Sequence, residues 1–131
     1  MPKELFWLTW TTILTGVLWI PYILDRIMVR GLVGAMGNPT PKDASQSLWA
    51  QRLMRAHTNA VENLVVVATL VLILRSLNIS TAATVTACAI FFFARLTHAI
   101  VYMLGIPVLR TLAFAVGFVA QVVLVLAIFG M

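Results

Sequence analysis

Four long apolar runs constrain this chain more than any other feature of its sequence. Each is long enough for an α-helix to cross the roughly 30 Å hydrocarbon core of a bilayer. Of the 131 residues, 62% are hydrophobic and only 10% are charged, whereas soluble domains carry about 25% charged residues. The sequence therefore predicts a single-domain, all-α membrane protein built as a four-helix transmembrane bundle. The predicted spans are residues 5–24, 49–77, 81–104 and 108–129.

The first apolar run is expected to remain in the protein as a span, because it is too long for a signal peptide and no small-residue cleavage site follows it. Pro21 is expected to kink its last turns. After Arg30, repeated glycines and prolines favour a loop over a helix, and Asp43 or Ser45 is expected to cap the next helix. The helix-breaking residues are Gly31, Gly34, Gly37, Pro39 and Pro41.

The net charge of +5 is interpreted from the positions of the basic residues. Most of them flank the loop after the first span or the start of the fourth, which predicts that this side is cytoplasmic and both termini are extracytoplasmic. The membrane would be the inner membrane of a bacterium or the endoplasmic reticulum of a eukaryote. Basic residues at such positions contact anionic lipid, so nucleic-acid binding is not expected. The only cysteine, Cys88, is expected to be a buried small residue without a disulfide or metal role.

A polar helix face interrupts the second span. Its members are spaced at i, i+3, i+7 and i+10, so one helix presents them all on one side. Charged groups inside a membrane cost a few kcal/mol each, and they persist where they pair or face a cavity. This face therefore indicates either an internal contact or a site. The residues are Arg52, Arg55, Asn59 and Glu62.

A second polar face lies in the third span. Arg95, His98 and Tyr102 are spaced at i, i+3 and i+7, again on one side of a helix. The second helix enters the membrane from the loop side and the third returns to it. The two faces are therefore expected to meet at similar depth, with Arg110 at the start of the fourth span beside them.

Two interpretations of these faces remain open from the residues alone. Glu62 could pair internally with Arg95 or Arg55 as a strut between helices. That pair leaves more arginines than carboxylates, and the surplus favours an anionic ligand, since guanidinium groups bind carboxylates and phosphates through paired hydrogen bonds. Arg52 is expected to meet lipid phosphates and His57 to be a packing or interfacial histidine. Histidines on different helices with one carboxylate do not predict a metal site.

The two motifs together resemble the MAPEG family, the membrane-associated proteins of eicosanoid and glutathione metabolism. The stretch RLMRAHTNAVE at residues 52–62, followed by an apolar run, is similar to the family's second helix. The stretch RLTHAIVY at residues 95–102, a short Gly/Pro turn and Arg110-Thr111 are similar to its third helix and the start of its fourth. The resemblance covers nearly the whole chain, which looks like a small, prokaryotic-type member.

The resemblance implies a homotrimer that binds glutathione, as a cosubstrate, between subunits in the cytoplasmic half of the bilayer. Arg110 would be the catalytic residue that stabilises the thiolate. Glu62 would meet the ammonium group of the tripeptide, while Arg55 and Arg95 would meet its carboxylates or support Glu62. The loop arginine of the family, near the thiol, resembles Arg30. The implied glutathione-binding residues are Arg30, Arg55, Asn59, Glu62, Arg95, His98 and Tyr102.

The function implied by the resemblance is that of a glutathione-dependent membrane transferase or peroxidase in detoxification, acting on lipophilic electrophiles or lipid hydroperoxides. Two departures, Thr58 in place of an arginine of prostaglandin E synthases and Phe114 in place of a tyrosine, leave the particular reaction open. The alternative is a non-catalytic trimer that binds glutathione or another small anion, or an accessory subunit of a larger membrane assembly. A multidrug transporter is disfavoured, because that class needs an acidic residue in the first span and residues 5–24 contain none.

Overall fold

The computed structural model describes all 131 residues, and 82% of the chain is helical. It contains no strand, and four of its helical segments are long and apolar enough to cross a membrane. The prediction of an all-α membrane protein with four spans is therefore confirmed. The helices are α1 (Lys3–Val17), α2 (Trp19–Met36), α3 (Leu48–Ser76), α4 (Ala82–Leu104) and α5 (Pro107–Ile128).

The first span consists of α1 and α2 in succession and runs from Lys3 to Met36. A short interruption at Leu18 separates the two helices. Proline has no N–H for the carbonyl four residues before it, and its ring clashes with that carbonyl. For Pro21 the carbonyl belongs to Val17, the last residue of α1. The interruption therefore lies one turn before the proline that causes it.

The helix α2 extends further than the sequence predicts. Repeated glycines are expected to end it after Arg30, but it continues to Met36. Only Gly31 leaves helical geometry, with φ 73° and ψ 165°, which glycine tolerates because it has no Cβ. The chain bends at this residue and then resumes a helical turn. The prediction of a loop is therefore wrong for residues 31–36, and the loop consists of residues 37–47.

The carboxylate of Asp25 holds the α2–α3 loop against α2. This buried group accepts hydrogen bonds from Ser47 N at 3.1 Å, Ser47 Oγ at 2.5 Å and Gln46 Nε2 at 3.2 Å. Ser47 is the N-cap of α3, and its own side chain does not cap the helix. The expectation that Asp43 or Ser45 caps α3 is therefore wrong. The negative charge that favours a helix N-terminus is supplied instead from α2.

Asp43 orders the loop itself. Its carboxylate accepts a hydrogen bond of 2.9 Å from Thr40 N, and it lies 3.7 Å from Arg30 Nη1. The Thr40 N–H holds the pKa of this carboxyl below its ordinary value, because a hydrogen bond to the charged form favours that form. Arg30 also donates from Nε to Ala44 O at 2.9 Å. Both members of this ion pair are therefore fastened to the loop.

The bundle has two distinct ends. We call the end with the α2–α3 loop and the α4–α5 turn the loop end, and the end with both chain termini and the α3–α4 connection the terminal end. Between them α3, α4 and α5 enclose an apolar core, which includes Cys88 as predicted. Large apolar side chains outside the core are exposed, as suits helices surrounded by lipid. The core residues are Val67, Val71, Leu74, Ala87, Cys88, Phe91, Ala120 and Leu124.

Glu4 closes the terminal end. This residue is 0% exposed, and its Oε1 accepts hydrogen bonds from Ser80 Oγ at 2.8 Å and Thr84 Oγ1 at 2.7 Å. Thr81 and Thr84 form a capping box at the start of α4, so the carboxylate lies at a helix N-terminus, where negative charge is stabilised. The contact fastens the start of α1 to the start of α4.

Candidate functional site

Arg95 is a buried cation in the middle of a spanning helix. It is 4% exposed, and its Nη2 donates a hydrogen bond of 2.6 Å to Asn59 Oδ1 on α3. The structure thus brings together the two polar faces that the sequence places at similar depth. Arg95 Nε is also buried, but it has no hydrogen-bond partner. Leaving a buried donor unpaired costs about 1–3 kcal/mol, and more for a charged group, so this nitrogen favours a ligand that accepts a hydrogen bond.

A row of amides steadies Asn59. Asn63 Nδ2 donates to the backbone oxygen of Asn59 at 2.9 Å and lies 3.4 Å from its Oδ1. Gln121 Nε2 on α5 lies 3.5 Å from both oxygens of Asn63. Sequence reasoning does not include Asn63 or Gln121 in the site. Their only signals are a spacing of one helical turn from Asn59 and a lone amide in the apolar interior of the fourth span.

A small cleft of about 220 Å³ lies between α4 and α5, and its lining begins at His98, about one helical turn after Arg95 on α4. His98, Tyr102 and Arg110 line it, together with Thr111 and Phe114. The guanidinium carbon of Arg110 lies 4.5 Å from the centre of the Tyr102 ring, which is within cation–π range. His98 is 3% exposed, and its Nδ1 has no hydrogen-bond partner. The cleft therefore contains a cation, a phenol and an imidazole, but no carboxylate.

Glu62 and Arg55 do not join this cleft within one chain. Both residues are exposed on α3, and neither side chain makes a hydrogen bond or an ion pair. The interpretation of Glu62 as an internal strut is therefore wrong for the isolated chain. The reason is geometric: Glu62 is rotated about 60° around the helix from Asn59, and Asn59 is the residue that meets Arg95.

The loop arginine also lies apart from the cleft. Arg30 contacts Asp43 and Ala44, as described above, and lines a different cleft at the loop end with Arg26 and Gln46. Within one chain, the structure does not bring Arg30 together with the groups around Arg110. A role for Arg30 near a thiol remains a prediction.

Arg52 contacts protein in a way that its sequence position does not reveal. A Cβ added to Gly105 would lie 2.8 Å from Arg52 Cζ, so the guanidinium packs against this glycine. Gly105 is the left-handed C-cap of α4, with φ 78°, and cations favour a helix C-terminus. The expectation that Arg52 serves only lipid phosphates is therefore incomplete, since this residue joins α3 to the α4–α5 turn.

His57 has the packing role expected from the sequence. Its Nδ1 lies 2.7 Å from the hydroxyl of Tyr22, and the two rings are 5.7 Å apart between centroids. This contact ties α3 to α2. The imidazole of His57 is therefore used in a contact between helices, and it lies on a different side of α3 from Asn59.

We call Asn59, Arg95, His98, Tyr102 and Arg110 the polar cluster. It contains two guanidinium groups, and one of them, that of Arg95, has a buried nitrogen without a hydrogen-bond partner. No acidic side chain lies within 4.0 Å of the nitrogens of either arginine, and the one ion pair of the chain is elsewhere. No group of three or more His, Cys, Asp or Glu side chains is placed to hold a metal ion. In a low-dielectric interior such unbalanced positive charge is costly, so the cluster is suited to an anion.

The fold and this cluster define an integral, multi-pass membrane protein with a cationic polar site inside its helix bundle. The sequence model of the MAPEG family matches residues 5–130. The chain belongs to the MAPEG family, as its two polar motifs predict. Comparisons with curated proteins and with solved structures found no match.

Proposed function

We propose that this protein is a glutathione-dependent membrane transferase or peroxidase, and that the polar cluster binds and activates the glutathione thiol. Family membership supports glutathione as the cosubstrate. The observation that carries the proposal is Arg95, a buried guanidinium whose Nε lacks a partner, next to a cleft that contains Arg110. These groups leave positive charge unbalanced, and glutathione supplies two carboxylates and, after ionisation, a thiolate.

The chemistry needs no nucleophile from the protein. A free thiol has a pKa of about 8.5, and the thiolate is the reactive form. The positive charge of Arg110 next to the sulfur stabilises the thiolate and lowers its pKa. In transfer, the sulfur forms a bond to the electrophilic carbon while the bond to the leaving group breaks. In reduction, the thiolate attacks a hydroperoxide, the O–O bond breaks to release an alcohol, and a second glutathione converts the sulfenic acid to a disulfide and water.

The remaining site residues have roles that follow from their chemistry. Arg95 and Asn59 donate to a carboxylate, and Tyr102 and His98 line the cleft. Glu62 binds the ammonium group. Two further cations, from Arg55 and Arg30, complete the electrostatic field at the rim.

We further propose that the working form is a homotrimer. Glu62 and Arg55 are exposed on a spanning helix, and a charge exposed to lipid costs at least a few kcal/mol. A second copy of the chain that covers this face removes that cost. It also completes the site, because it brings groups such as Arg30 from another subunit. The loop end then faces the cytoplasm, where glutathione is present, and the lipophilic second substrate arrives from the bilayer.

The test is turnover of glutathione with an aryl halide and, separately, with a lipid hydroperoxide by the purified protein in detergent or nanodiscs. Arg110→Met is expected to lower kcat by about 100-fold or more, the size seen when one charge-stabilising donor is removed. Arg75→Met is the matched control, because it removes the same charge near the terminal end. Glutathione binding without turnover of either substrate by the unaltered protein would contradict the catalytic proposal and favour the non-catalytic alternative.

A further inference from the structure

Arg110 has only one specific contact in the structure. Its side chain makes no hydrogen bond and no ion pair with another residue, and its guanidinium carbon lies 4.5 Å from the centre of the Tyr102 ring. Arginine has a long side chain that loses about 2 kcal/mol of rotamer entropy when it is fixed. Some contact must therefore select the rotamer that places the guanidinium in the cleft. The face of the Tyr102 ring is the one specific contact available for this.

The Tyr102 ring also contacts a second side chain, which holds it in place. The buried ring of His98, one turn earlier on α4, meets it edge to face at 5.5 Å between centroids. The Tyr102 hydroxyl, in contrast, makes no hydrogen bond within the chain. The contact that relates Tyr102 to Arg110 thus comes from the aromatic ring and not from the phenol oxygen. A cation over an aromatic face is attracted by the quadrupole of the ring, which phenylalanine also has.

We propose that Tyr102 is a positioning residue whose ring face, held by His98, fixes the guanidinium of Arg110 at the thiol. This inference rests on the proposed function for its consequence in catalysis, whereas the contact between the two side chains is independent of that function. The proposal assigns different roles to the ring and the hydroxyl of Tyr102. The ring is required for thiolate formation, and the hydroxyl is not required for it.

Two variants separate the ring from the hydroxyl. Tyr102→Phe keeps the ring face, so the apparent pKa of bound glutathione, read from the pH dependence of thiolate absorbance and of kcat, is expected to stay where it is. Tyr102→Leu removes the face, and the apparent pKa is expected to rise by about one unit, which is about tenfold less thiolate at neutral pH. A hydroxyl bond to a part of glutathione other than the sulfur affects KM in both variants and does not move this pKa, whereas loss of a hydroxyl bond to the sulfur raises the pKa equally in both. Equal shifts in both variants, or no shift in either, would overturn the proposal.

A second measurement does not depend on glutathione. Arg110→Met is introduced into the unaltered protein, into Tyr102→Phe and into Tyr102→Leu, and the thermal midpoint is measured without ligand. The arginine substitution is expected to change the midpoint by the same amount in the first two backgrounds and to be less destabilising, or more stabilising, in Tyr102→Leu, because the ring contact is already absent there. The same change in thermal midpoint in all three backgrounds would show that the Tyr102 ring does not hold Arg110. If the unaltered protein forms no thiolate, the proposed function fails, while this cycle still decides whether the ring holds Arg110.

Discussion

Two charged side chains are buried in the same bundle, Glu4 at its terminal end and Arg95 near the middle of α4, and their surroundings differ. Glu4 at the terminal end accepts two hydroxyl hydrogen bonds through Oε1 and lies at the start of α4, and its Oε2 has no partner. No cation lies within ion-pair distance of this carboxylate. Arg95 has one bond, to a neutral amide, and no carboxylate within ion-pair distance.

The comparison shows that burial of a charge does not by itself indicate a ligand site. At the terminal end the chain supplies two hydroxyl donors and a helix N-terminus, so the buried carboxylate serves as a clamp between helices. At the polar cluster the chain supplies extra donors and extra positive charge, which only an added acceptor balances. The charge that surrounds a buried group, and not its burial, distinguishes the two.

The largest effect is expected on glutathione affinity, when the unbalanced positive charge of Arg95 is removed. Arg95→Met is expected to weaken glutathione binding by about 10–100-fold, the value of one hydrogen bond to a charged group. Its thermal midpoint is expected to be unchanged or higher, since an apolar side chain of similar length replaces a buried cation. Titration calorimetry and thermal unfolding measure the two quantities. A large loss of stability with unchanged affinity would instead make Arg95 a strut like Glu4.

At the terminal end a substitution is expected to lower stability and leave glutathione affinity unchanged, the reverse of the expectation for Arg95→Met. Glu4→Ala removes the acceptor that the buried Thr84 hydroxyl and the exposed Ser80 hydroxyl share, and it is expected to cost about 1–3 kcal/mol of stability. Glutathione affinity of the folded fraction is expected to stay the same. Glu4→Gln is the matched control, because it keeps an acceptor oxygen and is expected to lose less. A change in affinity for either variant would break the distinction between clamp and site.

A substitution at the α4–α5 turn tests whether a cation near the polar cluster is also structural. Gly105→Ala is expected to cost about 1–2 kcal/mol from its positive φ alone, and more from the contact of the new Cβ with Arg52. Combining it with Arg52→Ala is expected to recover only the steric part, because the backbone strain remains. Thermal midpoints of the single and double variants measure this. Full recovery would mean that the left-handed geometry adds no strain.

The smallest effect concerns a neutral contact at the loop end. Tyr22→Phe removes the hydroxyl that meets His57 Nδ1 at 2.7 Å and is expected to cost about 0.5–1.5 kcal/mol. Thiolate formation is expected to be unaffected, since this contact lies on another side of α3 from Asn59. Loss of thiolate in this variant would mean that His57 belongs to the site.

Helical periodicity and hydropathy predict much of this molecule. Apolar length alone gives the four spans, because a bilayer demands helices of that length. The spacing of polar residues on two helices of opposite direction also predicts that the faces of Asn59 and Arg95 meet at similar depth, although it does not predict which residue of the α3 face bonds to Arg95.

Helical periodicity and hydropathy do not predict how each helix is rotated about its own axis or where a long side chain makes its contact. Glu62 shares a polar face with Asn59 in the sequence, yet a rotation of about 60° decides that only Asn59 meets Arg95. Glu4 looks like a surface charge beside Lys3, and only the docking of α1 on α4 buries it. Arg52 meets Gly105 through a long side chain that joins α3 to the α4–α5 turn, which no local spacing reveals.

The central claim is that unbalanced positive charge in the polar cluster holds glutathione as its thiolate. The most direct measurement is the difference absorbance of the thiolate as glutathione is titrated into the purified protein at neutral pH. We expect a thiolate band that saturates with glutathione in the unaltered protein and in Glu4→Gln, and that is lost in Arg110→Met. The absence of any band at millimolar glutathione, or its persistence in Arg110→Met, would contradict it.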